Sequence, residues 1–289
     1  MFKTTQENLA DHLRNDLGIK KNDLVFMHSG LVELGQLDKG LGTITEAFAE
    51  VLSEGLLVIP SFTYSWCNET AYDPKTTECP NGVGAYSKNA WKNGRFVRSG
   101  NPNFAVAALK NKHNGELIRR MFENGRSCFG KNSVFDHMYR FTAQLDGYIL
   151  LLGGAHNDFV FRCAFIHYVE ENIKVPSRYL KKFYNPDQSG AYVEQLCRYM
   201  SREEYESVNG RLETDYRFPI EPDYTRLGED LLKSGFFVSK LFGYGASRMV
   251  PLGAFCDFLE EQLTANPDYC VKGMNNVCDS DTQQVLELR

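Results

Sequence analysis

Several protein classes are excluded by what this sequence lacks. Positive charge is not in excess: 37 acidic side chains outnumber 32 basic ones and the formal net charge is -5, with an isoelectric point near 5.8. The longest basic clusters are Lys110–Lys112 and Lys181-Lys182. A nucleic-acid partner requires a basic face, so none is expected. No apolar run has the length of a membrane span, and the opening MFKTTQENLADHL is polar, without a signal-peptide core. The expectation is a cytoplasmic protein with no membrane partner. The eight cysteines stand singly, with no CxxC pair, which reads as reduced, buried thiols and not as a disulfide framework or a zinc site. Glycines at Gly40–Gly42 and Gly153-Gly154 do not form GxGxxG or a P-loop. A GxSxG elbow is absent, as are internal repeats and low-complexity segments.

The chain does have a regular alternation of helical and extended segments. Its 289 residues, 43% of them hydrophobic, can bury a large core. Residues 5–17 have helical spacing and stop at Gly18. Asp23–Met27 reads as a strand. Thr43–Leu52 reads as a helix, with Thr43 as cap and Glu46 completing a capping box, and Leu56–Ile59 as a second strand. Residues 64–103 are rich in turn chemistry. Phe104–Leu109 is a further strand, Gly115–Glu123 a short helix, and Ser133 caps Val134–Tyr139. Tyr148–Leu152 is a buried strand stopped by Gly153-Gly154. A helix over 159–173 follows, capped by Asn157 or Asp158 and ending before Val175-Pro176. Helical spacing recurs at Tyr192–Met200, Arg226–Leu232 and Leu252–Leu263, with a strand at Phe236–Val238. This order predicts an α/β protein: one three-layer α/β/α unit over 1–272, with a mainly parallel central sheet and a smaller side subdomain. The acidic segment 185–217 is a candidate lid, and 273–289 reads as a polar, disordered tail. Ligands of such sheets bind at the C-terminal strand ends. The loops His28-Ser29-Gly30, Ser61–Tyr64 and Gly153–Asp158 are therefore expected to converge.

In the 159–173 segment, His167 and Glu170 are three apart and share a helical face. A histidine held by a carboxylate just past a strand end is a candidate general base with its orienting partner; the alternative is a core histidine with a satisfied hydrogen bond. Cys163 and His167 form a weaker nucleophile pair, since a thiol on an apolar helix is usually inert. His28, His156 and His167 lack metal-ligand spacing, and no metal is expected.

The segments Val25–Leu31 with Leu34-Gly35, Val58–Thr63, Tyr72-Asp73-Pro74 with Gly84-Ala85, Arg98–Ala108, Phe129–Ser133, Leu150–Gly153 with His167–Glu170, and Val175–Arg178 together resemble, in order, the motifs of the aminoglycoside 3-N-acetyltransferase family, which includes relatives resembling N-acyltransferases of nucleotide-linked amino sugars. The resemblance implies acyl transfer from coenzyme A to an amine by direct attack. It makes His167 the base and Glu170 its orienter, and implies that Asp73 lies near the substrate amine, although Asp-Pro is also a plain turn signal. Ser61 and Thr63 become hydrogen-bond donors at the acyl carbonyl. His28, Ser29, Gly30, Arg98, Ser99, Phe104, Ala105 and Val106 are implied to line the coenzyme A cradle, with Arg98 on a phosphate and backbone amides of Phe104–Val106 on pantetheine. Tyr64 and Arg178 fall to the acceptor. Gly30 departs from the family's usual serine, Asn101 from histidine, Ala105 from serine and Lys110 from glycine.

Two small-molecule amines remain open as acceptor. Aminoglycosides need convergent carboxylates, which 194–215 offers. A nucleotide-linked amino-deoxysugar needs a cation and a stacking surface, which Arg178, Lys181, Lys182 and the aromatic residues of 179–199 offer; the cradle departures tip the expectation toward it, with an acetyl or 3-hydroxyacyl group transferred. An inactive coenzyme A-binding member is the alternative of another class, and a homodimer is the candidate assembly.

Overall fold

The computed structural model describes residues 1–123, 125–155, 160–198 and 221–272. In chain order its elements are β1 (Lys3–Thr4), α1 (Gln6–Asp11) running into a π-helical turn (His12–Asp16), β2 (Leu24–Ser29), β3 (Gln36–Leu37), α2 (Gly42–Val51), β4 (Leu56–Pro60), α3 (Ala85–Asn89), β5 (Phe96–Arg98), β6 (Val106–Leu109), α4 (Gly115–Met121), α5 (Val134–Phe141), β7 (Gly147–Gly154), α6 (Phe165–Ile173), β8 (Arg178–Tyr184), β9 (Tyr192–Arg198), β10 (Glu221–Pro222), α7 (Thr225–Lys233), β11 (Val238–Phe242), β12 (Gly245–Pro251), α8 (Leu252–Ala265) and β13 (Val271–Lys272).

A seven-stranded sheet in the order β11-β12-β7-β2-β4-β6-β5 forms the middle layer. Its centre is parallel, with β2 flanked by β7 and β4; the outer pairs are antiparallel. Side chains alternate across the pleat. Val25, Met27, Leu57, Ile59, Leu150 and Leu152 pack under α1, α2 and α3. Leu24, Phe26, Leu56, Val58, Val106, Ala108 and Ile149 pack under α4 to α8. Two buried faces explain why these strands read as continuous apolar runs. His28 shares the parity of Phe26, and its ring meets Phe26 edge-on with centroids 5.1 Å apart, so it belongs to the α6 side of the sheet. The hairpin β8–β9 forms a separate two-stranded sheet, with Phe183, Val193, Leu196 and Cys197 packed into the same core as α4 to α8.

Four local expectations are corrected. Helix α6 begins at Phe165, not at 159, and its N-cap Ala164 makes no side-chain cap; the Phe161 N–H is drawn off to the Tyr224 carbonyl, 3.3 Å away. The expected caps Asn157 and Asp158, like His156, lie outside the described residues. The 192–200 stretch is strand β9 over its described part, because pairing with β8 overrides its weak helical spacing. Thr43 does not cap α2; it donates to Asp38 (2.7 Å) and accepts the Lys39 N–H (2.9 Å), tying down the preceding loop. The strand expected at 236–238 runs instead from Val238 to Phe242 and turns back as β12. The segment 199–217 and the tail from 273 lie outside the described residues, so only the 185–198 part of the candidate lid is seen, as turn and hairpin.

The N-terminal helix is locked to the sheet by one buried imidazole. His12 Nδ1 lies 2.7 Å from Asp16 Oδ2 and Nε2 lies 2.9 Å from Ser247 Oγ on β12, and the ring stacks on Phe242 at 4.5 Å. Burial, outweighing Asp16, lowers the pKa of His12 below the ordinary 6.5. The native state therefore binds fewer protons at this site than the unfolded chain, so its contribution is full above pH 6.5 and lost as pH falls toward the lowered native value. In pH-dependent thermal denaturation, the stability advantage of the wild type over His12→Gln is expected to shrink as pH drops from 7 to 5; a constant gap would contradict this.

Candidate active site

The site is built outward from α6. Its last turn closes at Lys174 in the left-handed region (φ 56°), and the chain then turns through Val175-Pro176 so that Arg178, the first residue of β8, comes back against the helix. Glu170, only 1% exposed, lies between two partners. His167 Nδ1 is 2.8 Å from its Oε2. Arg178 brings Nε to 3.2 Å from Oε2 and donates from Nη2 to Oε1 and to the Tyr224 hydroxyl, each at 3.4 Å. Burial opposes the Glu170 charge, but the Arg178 cation and the His167 hydrogen bond win and hold its pKa below the ordinary carboxylate value. Since an ionised carboxylate only accepts, His167 carries its proton on Nδ1, leaving the Nε2 lone pair for chemistry. Burial lowers the pKa of His167, helped by the charges of Arg178 and Arg162 and opposed by Glu170. The imidazole is thus neutral at pH 7, and with a quarter of its side chain exposed (25%) it is within reach of a substrate. Those are the properties of a general base.

An aromatic wall joins this imidazole to the strand ends. Phe129 meets the His167 ring at 5.2 Å and Phe104 at 4.4 Å; Phe104 in turn meets Phe62 at 4.9 Å and Tyr64 at 5.2 Å. Phe26 links His28 to Phe165 on α6. Two of the loops expected to converge do so at Gly30 and Gly153: Gly30 N–H donates to Leu152 O at 2.8 Å, and a Cβ on either glycine would strike the other's carbonyl oxygen. A serine at position 30 has no room, which accounts for that departure from the family pattern. His28 keeps Nε2 buried without a hydrogen-bond partner, and burial together with the Arg162 charge pushes its pKa down to about 4.

Other sequence-identified residues are engaged within the protein. The buried Arg98 guanidinium donates to the carbonyls of Thr77 (2.7 Å), Ser61 (2.9 Å) and Pro74 (3.3 Å) and lies 4.1 Å over the Trp91 ring, which makes it a pin for the 74–79 loop. Asp73 is exposed and caps its own turn through the Lys75 N–H (2.8 Å) and the Thr76 hydroxyl (3.0 Å). Ser61 Oγ faces Cys79 Sγ at 3.5 Å, and Thr63 Oγ1 donates to Pro102 O. Asn101 Oδ1 takes the Phe104 N–H at 2.8 Å and Ser99 Oγ takes the Val106 N–H at 3.0 Å, so two of the three amides expected at pantetheine are already bonded. Ala105 is fully buried. Cys163 is also buried, and its thiol is pushed up to about 12, which removes it as a nucleophile. Sequence reasoning missed Arg162, an exposed side chain just before α6 whose charge acts on His28, His167 and Tyr224. Among the described residues it has no ion-pair partner. Its only signal in the sequence was a lone cation in an apolar run.

The family model for aminoglycoside 3-N-acetyltransferase matches residues 26–264. The chain belongs to this family. Its curated relative YokD, an SPbeta prophage-derived aminoglycoside N(3')-acetyltransferase-like protein of Bacillus subtilis (strain 168), is 25% identical over 173 residues. That match takes in 53% of this chain and 61% of YokD. Among solved structures, the fold is similar to that of aminoglycoside acetyltransferase AAC(3)-IVa in complex with a gentamicin, with a TM-score of 0.71 at 20% identity over 99% of this chain and 98% of that one. It is also similar to AAC-IIIb, solved as a binary complex with CoASH, with a TM-score of 0.68 at 19% identity over 91% of this chain and 97% of that one. Family membership rests on the sequence model; the structural likeness, at these identities, bears on the fold alone.

Removing one partner of a buried pair exposes the cost of burying the other, typically ~3–5 kcal/mol. Arg178→Met is expected to destabilise the fold by about that amount, and Arg178→Met with Glu170→Gln by clearly less, since the stranded charge is gone. Equal losses in chemical denaturation would mean that Arg178 does not balance Glu170.

Proposed function

We propose that this protein transfers an acetyl group from acetyl-CoA to an amine of an aminoglycoside-type amino sugar, with His167 as general base. The observation that carries this reading is the His167–Glu170–Arg178 arrangement, in which a neutral, solvent-reachable imidazole is held in one tautomer by an ionised carboxylate. The family match, and relatives whose structures hold CoASH or a gentamicin, support it and favour an aminoglycoside over the nucleotide-linked sugar expected from sequence.

A thioester is already activated, so no covalent enzyme intermediate is needed. The amine nitrogen attacks the acetyl carbonyl carbon as His167 Nε2 takes the amine proton; the C–S bond then breaks and the proton passes to the departing thiolate, giving amide and free thiol. Glu170 stabilises the transient imidazolium without itself taking the proton. General-base assistance of this kind is worth ~10²–10⁴-fold. In this reading the donor lies across the strand ends beside Ser29, and Tyr64, whose ring packs on Phe104, belongs to the acceptor. A second reading, an acceptor bearing a phosphate, is favoured by Arg162, a cation without an ion-pair partner among the described residues, whose charge reaches the base.

A thiol-release assay decides between them. Acetyl-CoA would be supplied with a panel of aminoglycosides or of nucleotide-linked amino-deoxysugars. Release with aminoglycosides, falling by about 10²–10⁴-fold in His167→Ala and showing an acid limb below pH 6.5 as the imidazole protonates, is the expected result. Release only with the sugar nucleotides, together with its loss in Arg162→Ala, would transfer the reading to the second acceptor. Wild-type rates in His167→Ala would remove His167 from the base role.

A further inference from the structure

The helix that carries the base carries a second, largely enclosed carboxyl that the reaction does not use. Glu171 lies one turn beyond His167, and its Oε1 accepts from Ser127 Oγ at 2.5 Å. That hydroxyl in turn accepts the N–H groups of Gly130 (2.7 Å) and Phe129 (3.2 Å). Gly130 packs so tightly on the carboxyl that a Cβ there would collide with Oε1. The other oxygen, Oε2, is out of contact with solvent and has no hydrogen-bond partner. The turn so held, Ser127–Gly130, presents Phe129, whose ring meets the His167 imidazole edge-on. Its far side is stitched to β9 by Cys128 N–H to Glu194 O (2.7 Å) and Glu194 N–H to Arg126 O (2.8 Å).

We propose that Glu171 is a positioning residue for this reaction: through Ser127 it docks the turn that fixes Phe129 against the His167 ring, and it does so in its protonated form. This rests on His167 being the base.

The protonated state follows from the surroundings. A bare carboxylate oxygen cut off from water is costly, whereas a carboxylic acid can place its proton there and still accept from Ser127. Among the described residues no cation offsets the charge. The turn offers only the Ser127 hydroxyl and backbone N–H groups. Strand β9 offers Glu194, a like charge. On α6 itself the neighbours are Glu170, already ionised, and the neutral His167. The nearby Arg126 guanidinium is taken up by Tyr192, donating to its hydroxyl at 2.7 Å, and Lys182, cross-strand from Glu194, lies over the same ring at 4.7 Å. Burial, reinforced by Glu194, accordingly pushes Glu171 up to about 7. As pH rises through that value a charge appears in the latch and the turn loosens.

The test compares kcat/KM from pH 5.5 to 9 for the wild type, Glu171→Gln and Glu171→Ala. Glutamine mimics the protonated acid. Its activity is expected to match the wild type at pH 6 and to exceed it several-fold at pH 8.5, so that the ratio of the two rises through pH 7. Glu171→Ala, which leaves the turn untethered, should lose about tenfold in kcat at every pH with little change in KM. A ratio independent of pH, or an alanine variant as active as the wild type, overturns the proposal. Carboxyl titration by carbon-13 NMR provides a readout that needs no turnover: a Glu171 resonance titrating near pH 7, with a coupled shift of the His167 ring signals, supports the latch, and a Glu171 already ionised at pH 5.5 refutes it. If no acceptor is turned over yet the coupled titration is seen, the functional reading fails and the latch stands.

Discussion

The site depends on one electrostatic constraint: Glu170 is removed from water, and a buried carboxylate survives only if something balances it. Arg178 provides that balance, and its own burial is made tolerable in return. Everything else about the His167 imidazole follows. Because Glu170 stays ionised it can only accept, so the His167 proton sits on Nδ1. Because that proton is committed to Glu170, Nε2 keeps its lone pair. Because Arg178 and Arg162 add positive charge to a largely enclosed ring, the imidazole does not hold an extra proton at pH 7. A carboxylate alone would have raised the histidine's pKa and weakened it as a base near neutrality; burial and the cations reverse that sign.

The backbone supplies a second constraint, steric this time. Two strand-end loops meet through Gly30 and Gly153, and neither tolerates a side chain. Several positions where this chain departs from its family's usual residues are spent on structure in the same way: Asn101 caps the 103–104 amides and Ala105 is packed away. Arg98, which keeps the family's residue, has also turned inward, onto carbonyls and an indole ring.

Much of this was readable from residues alone. The central strands were legible as short continuous apolar runs, because both faces of the sheet are buried: Leu24 and Phe26 pack on one side, Val25 and Met27 on the other. The His167–Glu170 pair was visible because helical geometry fixes neighbours three residues apart. The partner that makes the pair work was harder: Arg178 reaches Glu170 only because Lys174 adopts a left-handed conformation and the chain doubles back. The start of α6 was misread because an apolar run has no period to mark where it changes from extended to helical. Strand β9 was misread because Tyr192–Arg198 alternates weakly, and only its pairing with β8 decides its state. The contact of Glu171 with Ser127 spans 44 positions and leaves no local trace.

The central claim is that His167 is a neutral imidazole with its proton on Nδ1 and its lone pair on Nε2, and nitrogen-15 NMR of the ring in the wild-type protein addresses it most directly. The account predicts a protonated Nδ1 and an unprotonated Nε2 at pH 7, with titration below the ordinary 6.5. A ring protonated on Nε2, or one still doubly protonated at pH 7, would contradict it.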